Sequence, residues 1–209
     1  MKERNDVRFM KVWERFCDYY QKSRKDYEYY NSPKMYEQSG FLGPHFRMER
    51  DIVFHLARFC YNEFGDKWVH LESPIYKFYL DILDFHELAI ELGQKKMRVN
   101  IDIEISDSRS FMIKNAKRGI FIEVKFIWQG CDKVPYGKVK DKISAIEKDL
   151  KKLRYLLKKR ACEHAFMCII DEEPSRSEIE KRNKRTWEKD YFPVKVLVYS
   201  YYGKVLPKG

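Results

Sequence analysis

Glycine and proline are scarce in this chain, 9 and 7 among 209 residues. That is too few for low-complexity disorder over most of its length. No run of about 18 uncharged apolar residues occurs, so a membrane-spanning helix is not expected. The opening MKERNDVRF is charged where a secretory leader needs an apolar stretch, so export is not expected and a cytoplasmic location is. Cysteine is rare and odd in number: Cys17, Cys60, Cys131, Cys162 and Cys168 include no pair at the two-residue separation of a zinc knuckle or redox motif. They read as structural thiols in a reducing compartment. The five histidines (45, 55, 70, 86 and 164) share no ligand spacing, and no internal repeat is present.

What the chain has in quantity is aromatic residues and charge. Its 4 Trp, 15 Tyr and 14 Phe are ample material for a core, and Lys+Arg exceed Asp+Glu by 42 to 32. Phe9, Val12, Trp13, Phe16, Cys17 and Tyr20 recur at helical spacing, in a run that ends by Pro33. Gly- and Pro-marked residues 38–45 read as a connector, and a second helix is expected from Arg47 to Phe64, stopped by Gly65. Trp68 to Glu72 alternates like a short strand. Ser73-Pro74 then reads as an N-cap with proline at the first helical position, opening a helix on which Phe78, Ile82, Phe85, Ala89 and Leu92 share a face.

Two strands follow. In VNIDIEIS, Val99, Ile101, Ile103 and Ile105 are expected on one side and Asn100, Asp102 and Glu104 on the other. In IFIEVKFI, Glu123 and Lys125 share a face with Phe121 and Ile127. Apolar neighbours on that face argue for a strand covered on both sides, where charged groups must find partners. A helix from Lys138 to Arg160 carries the seam Val139, Ile143, Ile146, Leu150, Leu153 and Leu157. The unbroken apolar run AFMCII (165–170) is expected to be a buried strand. A charged helical segment from Ser177 to Lys189 and a last strand from Val194 to Tyr199 complete an α/β alternation.

Asp102 and the Glu123-Val124-Lys125 triplet would project together from adjacent strands, next to a helix able to add Glu49. Two carboxylates with an ammonium group suit a Mg²⁺ ion that polarises a phosphodiester and activates water, with lysine orienting that water. Glu104 competes with Asp102 for the same role. The order helix-Glu, strand-Asp, strand-Glu-x-Lys, helix, strand resembles the core of the PD-(D/E)xK nuclease superfamily, the restriction-endonuclease-like fold, over about residues 46–172. Ile101 stands where that family's proline usually is.

The resemblance implies a central mixed β-sheet flanked by helices in a nuclease-like domain of residues 46–209, with residues 1–45 as a helical extension. It implies metal ligation by Asp102, Glu123 and the Val124 carbonyl, with Lys125 positioning water and Glu49 holding a second metal or a metal-bound water. Mg²⁺ would be the cofactor, with Mn²⁺ able to replace it. The implied activity is a metal-dependent nuclease, with DNA ahead of RNA as substrate. An inactive nucleic-acid-binding or assembly subunit of the same fold is the alternative, and self-association or a protein partner stays open.

Between Lys138 and Arg160 ten basic residues face three acidic ones. That excess opposite an apolar seam is the footprint of phosphate-backbone binding, with Lys148, Lys151 and Lys152 as contacts expected in solvent.

Overall fold

The structure is a computed structural model that describes residues 3–30, 49–74, 85–92, 100–106, 118–127, 137–171 and 184–201. The connector at 38–45, the loop after β2, Val99, Cys131 and most of the helix expected after Pro74 lie outside these. In chain order the elements are α1 (Asn5–Tyr30), α2 (Glu49–Phe64), β1 (Val69–Pro74), α3 (Phe85–Leu92), β2 (Asn100–Ile105), β3 (Arg118–Ile127), α4 (Gly137–Lys158), β4 (Cys162–Asp171), α5 (Lys184–Asp190) and β5 (Lys195–Ser200).

Neighbouring strands in the sheet are neighbours in sequence, in the order β1-β2-β3-β4-β5. The first three pair antiparallel, and β3, β4 and β5 pair parallel. Parallel neighbours need crossovers, supplied by α4 between β3 and β4 and by α5 between β4 and β5. The chain is therefore α/β with a five-stranded mixed open sheet.

Alternation along β3 divides the interior into two layers. Ile120, Ile122, Val124 and Phe126 pack with α1 and α2, through Phe9, Phe16, Tyr20, Ile52, Leu56 and Cys60. Phe121 and Ile127 pack on the opposite side with Ile146, Leu150, Leu153 and Leu156 of α4. Helices thus cover both faces, and β4 is buried from Ala165 to Asp171, as its unbroken apolar run requires. Gly65, at φ 89° and ψ 153°, takes a positive-φ conformation open essentially to glycine alone, and α2 stops there.

The structure refines two expectations and corrects two. First, the helical extension α1 packs into the core. Six of its apolar side chains are buried in the α2 layer, and the Phe9 ring lies 4.6 Å from Phe166 at the centre of the sheet. Second, Ser73 and Pro74 do not open a helix. They end β1, with Ser73 opposite Ile101 and Pro74 opposite Asn100.

Third, β2 does not keep one face throughout. Ile103 and Ile105 join the α1/α2 layer while Ile101 joins the α4 layer. The break falls at Asp102, at the level of Glu72 on β1, whose φ of 47° leaves the extended region. Fourth, Ile146, Leu150 and Leu153 of the expected α4 seam are fully buried and Ile143 and Leu157 pack beside them, while Tyr155 and Leu156 widen the buried face beyond that seam.

Candidate functional site

The site is built where β2 and β3 part. Their pairing runs through Glu104↔Phe121 and Ile103↔Ile122. Beyond it, β3 amides that would otherwise seek β2 are taken by side chains: Val124 N–H donates to Asp102 Oδ2 at 2.8 Å and Phe126 N–H to Glu49 Oε2 at 3.4 Å. A strand residue's amide and carbonyl point to the same edge, so the Val124 carbonyl is directed at the Asp102 side of β3.

Glu49 stands in the first turn of α2, where a carboxylate complements the helix dipole. Its Oε1 lies 3.0 Å from Lys125 Nζ, whose second partner is Asp149 of α4 at 2.9 Å. Lys152, one turn along α4, reaches Asp149 at 3.1 Å and Glu123 Oε1 at 2.7 Å, and donates to the Asn100 carbonyl at 3.2 Å. Four carboxylates (Glu49, Asp102, Glu123 and Asp149) thus meet two ammonium groups (Lys125 and Lys152), for a formal charge of −2 when all are ionised.

The proton affinities follow from that imbalance. Burial, then the neighbouring Asp102 and Asp149 carboxylates, holds Glu123 well above the ordinary glutamate value, despite Lys152. Burial also raises Asp102, against the Val124 amide and the two lysines. Burial works against ionising Asp149, but Lys152 and Lys125 outweigh it and keep its pKa low. Lys125 and Lys152 are raised: burial opposes their charge, and the carboxylates around them override it.

The structure brings together all four side chains expected from the sequence: Glu49, Asp102, Glu123 and Lys125. It separates the two competing acids of β2. Glu104 is fully buried and accepts hydrogen bonds from the Ser73 and Ser106 hydroxyls, whereas Asp102 lies within the field of Lys125, Lys152 and Glu49.

Lys152 departs from expectation. Its side chain is 12% exposed and ion-paired inside the cluster, so it is not a solvent-facing lysine. Lys151 is exposed and Lys148 half-buried. Asp149 is a member that the sequence reading did not include. The signal was present as an Asp149/Lys152 pair three residues apart beside the apolar seam, but the side chains they meet, Lys125 and Glu123, depend on how α4 lies on β3.

A divalent cation fits this chemistry. The donors are hard oxygens, the cluster is short of two positive charges, and buried Glu123 Oε1 accepts no well-directed hydrogen bond even with Lys152 beside it. Among the described residues no three acidic, histidine or cysteine side chains form a ready-made cage, because the two ammonium groups separate the carboxylates. Mg²⁺ does not need such a cage, since it usually takes one or two carboxylates and completes its shell with water and phosphate oxygens.

Comparison with family models, curated proteins and solved structures found no match for this chain. Among the described residues no helix is long and apolar enough to cross a membrane.

Proposed function

We propose that the chain is a metal-dependent nuclease of the PD-(D/E)xK type that hydrolyses phosphodiester bonds, with DNA ahead of RNA. The observation carrying this reading is the gathering of Glu49, Asp102, Glu123 and Lys125 at the β2–β3 parting, where four carboxylates meet two ammonium groups. The order of elements that delivers them, with antiparallel strands leading into a parallel pair across α4, also agrees with a restriction-endonuclease-like core.

Asp102, Glu123 and the Val124 carbonyl would hold Mg²⁺, or Mn²⁺ in its place. The ion would supply charge neutralisation at the phosphoryl oxygens and a lowered pKa for the attacking water. Lys125 is held by Glu49 and Asp149 on the side of β3 that carries Glu123, where its ammonium can orient water and offset developing negative charge. Glu49 fixes that lysine and reaches the β3 backbone. Burial of the cluster keeps bulk water from screening these interactions.

The alternative, an inactive nucleic-acid-binding subunit, draws on a different observation. Both lysines and three of the carboxylates are already paired with one another, so the cluster is stable salt-bridged structure without any ion. A cleavage panel of single- and double-stranded DNA, RNA and branched forms, with Mg²⁺ and Mn²⁺, separates the two. Lys125→Ala should lower cleavage about 10²-fold or more. Wild-type activity in that variant would refute the assignment of the site.

A further inference from the structure

The cations of α4 fall into two groups. Lys152 is committed to Glu123 and Asp149, and Lys159 to Glu87 at 3.1 Å. Lys151, Arg154 and Lys158 have no ion pair or hydrogen bond to any described carboxylate, yet the three side chains line one groove of about 380 Å³. At positions i, i+3 and i+7 they share a face of the helix, and the row extends roughly 10 Å along its axis.

The groove's floor is the buried ring of Tyr155, pinned by its hydroxyl to Glu87 at 3.2 Å. Its far wall is Asp190 and Tyr191, where the chain leaves α5. Asp190 is the one carboxylate among these lining residues. Arg154 Nε is buried without a hydrogen-bond partner, an expensive state for a guanidinium N–H unless an acceptor arrives.

We infer that this groove binds the phosphodiester backbone of a nucleic-acid strand through Lys151, Arg154 and Lys158. Guanidinium and ammonium donors in a row along one helix face suit neighbouring phosphates of one strand, which carries a charge at every nucleotide. Because α4 also supplies Asp149 and Lys152 to the cluster at β3, a strand seated here is held by the same rigid element as the proposed cleavage centre. The inference deepens the nuclease reading and rests on it for the identity of the ligand. It moves the backbone contacts away from Lys152 and onto Arg154 and Lys158.

The test measures binding of labelled 20-nucleotide duplex and single-stranded DNA to the full chain by fluorescence anisotropy across a salt series, with EDTA present to prevent cleavage. R154Q/K158Q should weaken binding to all sequences alike. On duplex it should flatten the slope of log affinity against log salt by up to about 1.8, from two lost contacts. K22Q/K67Q removes the same charge from exposed sites on α1 and before β1, and should leave the slope near wild type. Melting temperatures of both variants should match wild type, which keeps misfolding from imitating the effect.

A wild-type slope in R154Q/K158Q overturns the groove and leaves the cleavage reading standing. Equal losses in both double variants also overturn it, because charge alone would then explain binding. Groove-dependent binding without metal-dependent cleavage upholds the groove and removes the nuclease. No binding by the wild-type chain overturns both.

Discussion

Glu123 is 2% exposed on a strand covered on both faces, so its ionisation is coupled to folding. Its pKa and that of Asp102 are higher in the folded chain than the ordinary 4.5 and 3.8. Groups raised in this way contribute stability fully below their unfolded values, and lose it as pH rises through their folded values. The contribution of these two carboxyls to the melting temperature of the metal-free chain should therefore fall as pH climbs from about 4 toward neutrality, against an opposite contribution from His55 and His164, whose burial lowers their pKa. Glu123→Gln should flatten that decline, and a decline of unchanged steepness would show that Glu123 does not cause it.

Asp6 does not blur the measurement. Burial opposes its charge, but hydrogen bonds from Lys195 and Arg4 lower it to about 2. Its contribution is present above 3.8 and lost only as pH falls toward 2, outside the window. The competing acids of β2 separate by calorimetry: Asp102→Asn should lose Mg²⁺ binding, and Glu104→Gln should keep it while destabilising the Ser73 and Ser106 contacts. The reverse result would put the metal position two residues along β2. The residues of this site were legible because a strand period of two puts Glu123 and Lys125 together wherever β3 lies. The choice between Asp102 and Glu104 was not, since it depends on where β2 and β3 part and on serine partners from β1 and the end of β2.

At the scale of elements, the sequence pattern located the described α-helices and strands to within a few residues, apart from the Ser73-Pro74 boundary and the start of α5, where residues 177–183 lie outside the described ones; it did not anticipate the short 3₁₀ turn at Asp66–Trp68. What it did not convey is packing partnership. The apolar stripe of α1 is equally consistent with an appended helix and with a core one. Phe9, fully buried against Phe166, decides for the core. Phe9→Ala should cost about 3–5 kcal/mol in urea unfolding, as deletion of a buried aromatic does, within one transition for the whole chain. A cost below about 1 kcal/mol, or a separate early transition, would mean that α1 docks loosely.

The β2–β3 pair carries a comparable constraint at Gly119, where any Cβ would collide with the Ile105 carbonyl. The face change at Asp102 had no signal in a sequence that alternates without interruption. It falls level with Glu72 on the neighbouring strand, whose backbone angle no pattern of polar and apolar residues records.

For the whole molecule, the decisive quantity is where its excess of ten positive charges resides. Counting along α4 placed much of it on one surface. The fold instead divides it between an exposed row and an internal ammonium, because Lys152, on the flank of the buried seam, pairs with Glu123 and Asp149 inside the cluster. Internal and external lysines should answer different assays. Replacing Lys152 with Met keeps the apolar stem but takes the cluster to a formal charge of −3, leaving Glu123 and Asp149 without their shared partner. In EDTA the variant should be destabilised by about 3–5 kcal/mol, the cost of breaking a buried ion pair on one side. Because Lys152 Nζ sits 2.7 Å from the Glu123 oxygen that a metal would use, its removal should also tighten Mg²⁺ binding in calorimetry. Added Mg²⁺ should then raise the variant's melting temperature more than it raises that of the wild type. The salt slope for nucleic-acid binding should stay unchanged, since a side chain 12% exposed releases few counterions from a phosphate backbone. Weaker Mg²⁺ binding by Lys152→Met would show that the lysine supports the ion rather than standing in its place. A flattened salt slope would return Lys152 to the binding surface and require α4 to turn when substrate arrives.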